Sequence, residues 1–228
     1  MNDTSPNTSI RIDIVSDVTC PWCYIGKHQL EAAIASYSSA AHLEVDLHWR
    51  PFQLDPNIPE DGLDLLAYNA AKHNEEEVLI NQSLASELGK EIGLSFAWDK
   101  ITRMPNTRDA HRLIHHAMIY GAQTKIVERL FKAYFCEGLD IGDRRCLIDL
   151  AEDCGIDGYA VENLFAQQED MLTIDEELAI TRHFGLPKVP FYVFADEIVV
   201  PGAASPQLFT AALFRAQEAQ TGPGPLQA

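Results

Sequence analysis

Apolar and polar residues alternate at the start of the chain, with Ile10, Ile12 and Ile14 on one side and Arg11 and Asp13 on the other. That is the period of a strand. After a loop over Ser16–Thr19 the period changes: Leu30, Ala33, Ile34 and Tyr37 recur at 0, 3, 4 and 7. The stripe predicts a helix opening at Pro21, a residue favoured at the first helical position. Leu43, Val45 and Leu47 restore the alternation before a loop containing Pro51, Pro56 and Pro59. The opening therefore reads as strand–helix–strand.

Helical spacing then dominates. Ala110, Leu113, Ile114 and Ala117 form one stripe, with Asn106 as the expected N-cap and Gly121 just past the end. Val127, Leu130, Phe131 and Tyr134 repeat the spacing before Gly138. Leu147, Leu150, Ala151 and Cys154 do so again between Asp143 and Gly155. Segments 61–73, 75–92 and 168–184 are helical in pattern, less cleanly. Near the end, Val189–Ala195 and Ile198–Val200 read as strands flanking a two-residue turn, Asp196-Glu197. Pro206 to about Gln220 reads as a last helix, and Thr221–Ala228 as a frayed tail.

The order is βαβ, a long helical block, then ββα. The block between Leu54 and Val189 is too long for a connection, so it is expected to be a domain of its own. The fold class is α/β, with boundaries at 10–54, 55–187 and 188–220.

Composition narrows the function classes. The 228 residues are 46% hydrophobic and carry a net charge of −17, which argues against nucleic acid or an anionic membrane surface as partner. The first residues, Met1–Ser9, show no positive and then apolar leader, and no stretch is apolar enough to span a bilayer. A soluble, cytoplasmic protein is expected. In a reducing cytosol, five cysteines suit a catalytic pair plus buried thiols better than a disulfide framework.

Chemistry concentrates at Cys20-Pro-Trp-Cys23, where a strand has ended and a helix begins. Two cysteines at this spacing can close a disulfide across the first helical turn, and the free N–H groups and dipole there favour a thiolate. For Cys136, Cys146 and Cys154, burial as small apolar side chains is the expectation. No metal site is expected: there is no second C-x-x-C, and His111, His115 and His116 offer only one i, i+4 pair. No nucleotide or flavin signature appears. Asp17 can serve as a proton acceptor beside the pair, although a solvated loop carboxylate is the default.

A C-x-x-C that opens the first helix, followed much later by Val-Pro and ββα, resembles the thioredoxin fold. The inserted helical block resembles its DsbA-like branch. Asp17-Val-Thr-Cys-Pro-Trp-Cys-Tyr-Ile-Gly-Lys27, Trp49-Arg-Pro-Phe52, Pro105-Asn-Thr107 with Ala110-His-Arg112, Ala133-Tyr-Phe135 with Glu137-Gly138, Val189-Pro-Phe191 and Gly202-Ala203 are similar to the FrnE-type subfamily. Pro187-Lys188 departs from it, where a glycine is expected. The resemblance implies that Cys20 is the attacking nucleophile and Cys23 the resolving thiol. It implies a cis Val189-Pro190 facing them, and substrate contacts from Trp22, Asn106, Thr107 and His111, although Asn106 and Thr107 serve equally well as helix caps.

The leading expectation is thiol–disulfide oxidoreductase chemistry on protein or small-molecule thiols and disulfides, with the Cys20–Cys23 pair in place of a cofactor. The alternative is a glutathione-dependent isomerase or transferase, since FrnE-type chains also resemble 2-hydroxychromene-2-carboxylate isomerases and kappa-class glutathione transferases. Those relatives typically carry serine at the nucleophile's position, so two cysteines favour exchange, with glutathione admitted as a co-substrate. A redox-inert binding module is the third class. Homodimerisation is left open.

Overall fold

In the computed structural model, residues 9–41, 44–167, 169–183 and 188–221 are described. Leu43, Pro187 and residues 222–228, to which the sequence assigned a strand start, a departure and a tail, lie outside them. Strand β1 (Ile10–Ser16) leads through a short loop to helix α1 (Pro21–Ala41) and strand β2 (Val45–Pro51), which pairs in parallel with β1. At the far end of the chain, β5 (Phe191–Phe194), β6 (Ile198–Pro201) and helix α9 (Pro206–Thr221) complete the fold. The sheet runs β2-β1-β5-β6, so β1 lies between the two halves of the chain. Its antiparallel register with β5 sets Ile14 opposite Tyr192 and Ile12 opposite Phe194.

Strand parity decides which side chains meet. Ile10, Ile12 and Ile14 are wholly buried on one face, together with Tyr192 and Phe194. The last two pack on Phe209 of α9, which in turn packs against α1. The opposite parity carries Asp13, bonded to Arg50 of β2, which reaches Glu177 on α8 (Glu169–His183). On α1, Leu30, Ala33 and Tyr37 are buried as the stripe predicts, and each large apolar side chain so buried contributes about 1.5–3 kcal/mol.

Between the halves lie α2 (Leu65–Lys72), α3 (Glu75–Glu91), α4 (Arg108–His116), α5 (Gln123–Lys132), α6 (Arg144–Asp153), α7 (Gly158–Ala166) and α8. A minimal two-stranded antiparallel sheet of β3 (Leu63–Asp64) and β4 (Arg103–Met104) lies among them. Buried residues of α3 to α7 form one continuous core with those of the sheet and α1. No helix among the described residues is long and apolar enough to cross a membrane.

Two local expectations change. Phe194 pairs with Ile198, so the hairpin turn is three residues, Ala195-Asp196-Glu197, with Ala195 and Asp196 both left-handed. Asn106 is not the N-cap of α4. Thr107 occupies that position without a side-chain cap bond, and Asn106 Oδ1 instead accepts from the Arg108 N–H at 2.9 Å. The donor is still satisfied, one residue away from where spacing put it.

Candidate active site

Cys20 ends the β1–α1 loop immediately before Pro21. Its N–H donates to the Asp17 carbonyl, and its own carbonyl accepts from the N–H groups of Cys23 and Tyr24. These bonds fold residues 17–24 into a tight turn that brings the two cysteines to the base of the helix. Both are thiols here and both are buried, Cys20 at 3% exposure and Cys23 at 1%. The fold carries the distant Val189-Pro190 segment to the same place. Its peptide bond is cis, and the Val189 carbonyl lies 3.7 Å from Cys20 Sγ, which donates to it across 169 residues of sequence. Trp22 is partly buried against the core.

Burial pushes the Cys23 thiol well above its ordinary value, and the adjoining Cys20 sulfur adds to this. The Ser16 hydroxyl and the Asp17 N–H act in the opposite direction. Ser16 follows Ile10, Ile12 and Ile14 in strand parity, so it faces α1. Its hydroxyl sits beside Cys23 without a partner of full hydrogen-bond geometry.

Asp17 is the residue that spacing undervalued. It is 2% exposed, not a solvated loop carboxylate. Oδ2 accepts from the Leu54 N–H at 2.8 Å, Oδ1 from the Thr19 N–H at 3.3 Å, and the Thr107 hydroxyl donates to the same group. Burial nevertheless raises its pKa, while the charge of His111 and these donors oppose the rise. His111 Nε2 stands 3.9 Å from Oδ1, too far for a hydrogen bond, and 2.8 Å from the Phe52 carbonyl. A carbonyl only accepts, so Nε2 carries the proton. Burial lowers the pKa of His111, with Asp17 and the Phe52 carbonyl opposing, and so favours the neutral ring.

The structure thus brings Cys20, Cys23, Val189 and Pro190 together and places Thr107 and His111 behind them, buried and bonded around Asp17 and Phe52. Asn106 lies further out. Its amide donates to the Ile58 carbonyl and accepts from Gln53, and it lines a polar cleft of about 940 Å³ with Gln53, Arg108 and Arg144. Of the other cysteines, Cys154 is buried and donates to the Lys125 carbonyl at 3.7 Å, while Cys136 and Cys146 are partly buried. Ser16 and Tyr192 were not singled out from the sequence. The available signal was a polar atom on strand positions whose neighbours in the same parity are all apolar.

The DSBA-like thioredoxin domain family model matches residues 11–214, and the chain belongs to that family. YwbO of Bacillus subtilis (strain 168), an uncharacterized protein, is 29% identical over 212 residues, covering 90% of this chain and 96% of YwbO. The crystal structure of a probable DsbA oxidoreductase, SCO1869 from Streptomyces coelicolor, superposes with a TM-score of 0.83 at 27% identity, covering 96% of this chain and 93% of that one. A 2-hydroxychromene-2-carboxylate isomerase shares the fold at a TM-score of 0.69 and 14% identity, covering 92% and 97%.

Proposed function

We propose that this DSBA-like chain is a thiol–disulfide oxidoreductase of FrnE type, working in the cytoplasm with the Cys20–Cys23 pair as its own redox group. The observation that carries the reading is the convergence of two cysteines at a helix N-terminus with the Val189 carbonyl 3.7 Å from the first sulfur.

In the reductive direction, the Cys20 thiolate attacks one sulfur of a substrate disulfide. A Cys20–substrate bond forms and the other substrate sulfur leaves as thiolate. Cys23, deprotonated in turn, attacks Cys20, and the second substrate sulfur leaves. The substrate disulfide gains two electrons and the enzyme pair loses them. The reverse sequence oxidises a substrate dithiol. Glutathione serves as co-substrate that restores the pair, and substrates are protein or small-molecule thiols and disulfides.

The roles differ by depth. Trp22 and Asn106 are only partly buried and are assigned to substrate contact. Thr107 and His111, which are buried, are assigned to holding Asp17 and the turn that carries Cys20. The backbone of Val189 flanks the reacting sulfur and is assigned to aligning the substrate chain.

A glutathione redox titration with acid-quenched alkylation and intact-mass detection tests the proposal. A two-electron transition in the wild type, absent in Cys20→Ser, is expected, and Cys23→Ala accumulates mixed disulfide. A stable one-glutathione adduct across the whole range, with no internal disulfide, would overturn exchange in favour of a glutathione-dependent isomerase or transferase.

A further inference from the structure

Among the described residues, three buried hydroxyls at this corner lack a hydrogen-bond partner: Ser16, Thr19 and Tyr192. Tyr192 is the most firmly placed. It is 0% exposed, and its ring packs edge-on against Phe209 at 4.7 Å. Its oxygen lies 2.3 Å from the point where a side chain on residue 26 would begin, so only glycine fits there. Gly26 is three residues beyond Cys23, on the same face of α1. Pro190 and Ala203 close this space at 3.2 and 3.3 Å. An unbonded buried hydroxyl costs stability. Packing alone would be served by phenylalanine at position 192, so the hydroxyl points to chemistry.

Cys23 has the complementary need. To resolve a mixed disulfide it must become a thiolate at a position 1% exposed, where few donors are available to receive the charge. The Tyr192 phenol is itself pushed well up by burial and by the two sulfurs, Cys23 before Cys20, and so remains an O–H donor.

Resting on the exchange reading above, we propose that the Tyr192 hydroxyl is the hydrogen-bond donor for the Cys23 thiolate, in a bond that the dithiol form does not make. Ser16 approaches the same sulfur from β1. Tyrosine gives up no proton. The Cys23 proton passes to water, its sulfur electron pair attacks Cys20 Sγ, the Cys20–substrate bond breaks, and the substrate thiolate leaves.

The test compares wild type, Tyr192→Phe and Gly26→Ala in two assays: the glutathione titration, and stopped-flow resolution of a mixed disulfide preformed on Cys20 with 2-nitro-5-thiobenzoate. Tyr192→Phe is expected to resolve about tenfold more slowly at neutral pH, with the apparent pKa of that step raised by about one unit. Its titration midpoint stays within about twofold of the wild type, since neither the dithiol nor the disulfide makes the bond, with no loss of urea resistance. Gly26→Ala displaces the hydroxyl and is expected to slow resolution and raise that apparent pKa in the same way. Combined with Tyr192→Phe it slows resolution no further. A resolution rate and pH profile both within about twofold of a cycling wild type in Tyr192→Phe would overturn the assignment. A wild type with no two-electron transition would instead bring down the exchange reading, and this assignment with it.

Discussion

Two buried polar centres in this protein are built on opposite principles. At the heart of the inserted helices, Arg112 is 1% exposed and its three nitrogens all donate. Nε and Nη2 bind the Asp170 carboxylate, Nη1 binds Asp109, and Nη2 also reaches the carbonyls of Leu164 and Gln167. The guanidinium lies 5.5 Å over the Phe165 ring. At the dithiol corner, by contrast, hydroxyls, thiols and a carboxylate are packed together with bonds left unmade. A fully paired network fixes helices relative to one another. A half-paired one costs stability, about 1–3 kcal/mol for each unbonded buried polar group, and leaves donors free for a charge that forms later.

The largest expected effect breaks the paired centre. Arg112→Ala leaves the Asp170 carboxylate and two carbonyls without this donor, leaves Asp109 to Arg144 alone, and should destabilise the protein by about 3 kcal/mol in urea unfolding. The redox midpoint of the molecules that remain folded should not move. A large shift in midpoint would show that the two centres are coupled.

A smaller effect tests the Asp17–His111 layer between them. Burial lowers the folded pKa of His111, so the unfolded chain binds its proton first. His111 therefore contributes stability above its unfolded pKa, near 6.5, that is lost as pH falls below it, at most about 1.4 kcal/mol per pH unit. Asp17 has the opposite sign. Its folded pKa is raised, so the penalty for burying its charge is relieved as pH falls towards the carboxylate range. Urea midpoints measured from pH 7.5 to 5.5 should decline in the wild type and decline less in His111→Gln. Equal slopes would mean that folding leaves the proton affinity of His111 unchanged.

The smallest stability effect is expected at the half-paired centre. Tyr192→Phe removes a hydroxyl that has no partner, so its unfolding free energy should change by less than about 1 kcal/mol, in the stabilising direction. Set against Arg112→Ala, it should be the variant that slows resolution and spares the fold. A clear destabilisation would instead indicate that the hydroxyl is bonded in solution.

Much of this was legible in the chain. Period-2 and period-3.6 patterns located β1, α1, β5, β6 and α9 within a residue or two, since one-sided burial leaves its spacing in the sequence. The placing of Cys20 and Cys23 together at the start of α1 was legible for the same reason: it is local. The hairpin turn was not, because nothing in Ala195 announces a left-handed backbone. Thr107 displaced Asn106 at the cap because the Asn106 side chain is also tied to Ile58 and Gln53, partners about 50 residues away. Asp17 read as a solvated loop carboxylate because its donors are set by how the Phe52–Leu54 segment and α4 close over it.

The sequence by itself determined the alternation of strands and helices, the long insertion and the dithiol at the start of α1, all of which depend on residues close together along the chain. Only the tertiary structure decided that Val189 meets Cys20, that Asp17 is buried against His111, and that Tyr192 extends its hydroxyl over Gly26. Those contacts join residues more than 90 positions apart. They exist because β1 pairs with a strand from the far end of the chain while the inserted helices close over the opposite side, and no local periodicity records such a pairing.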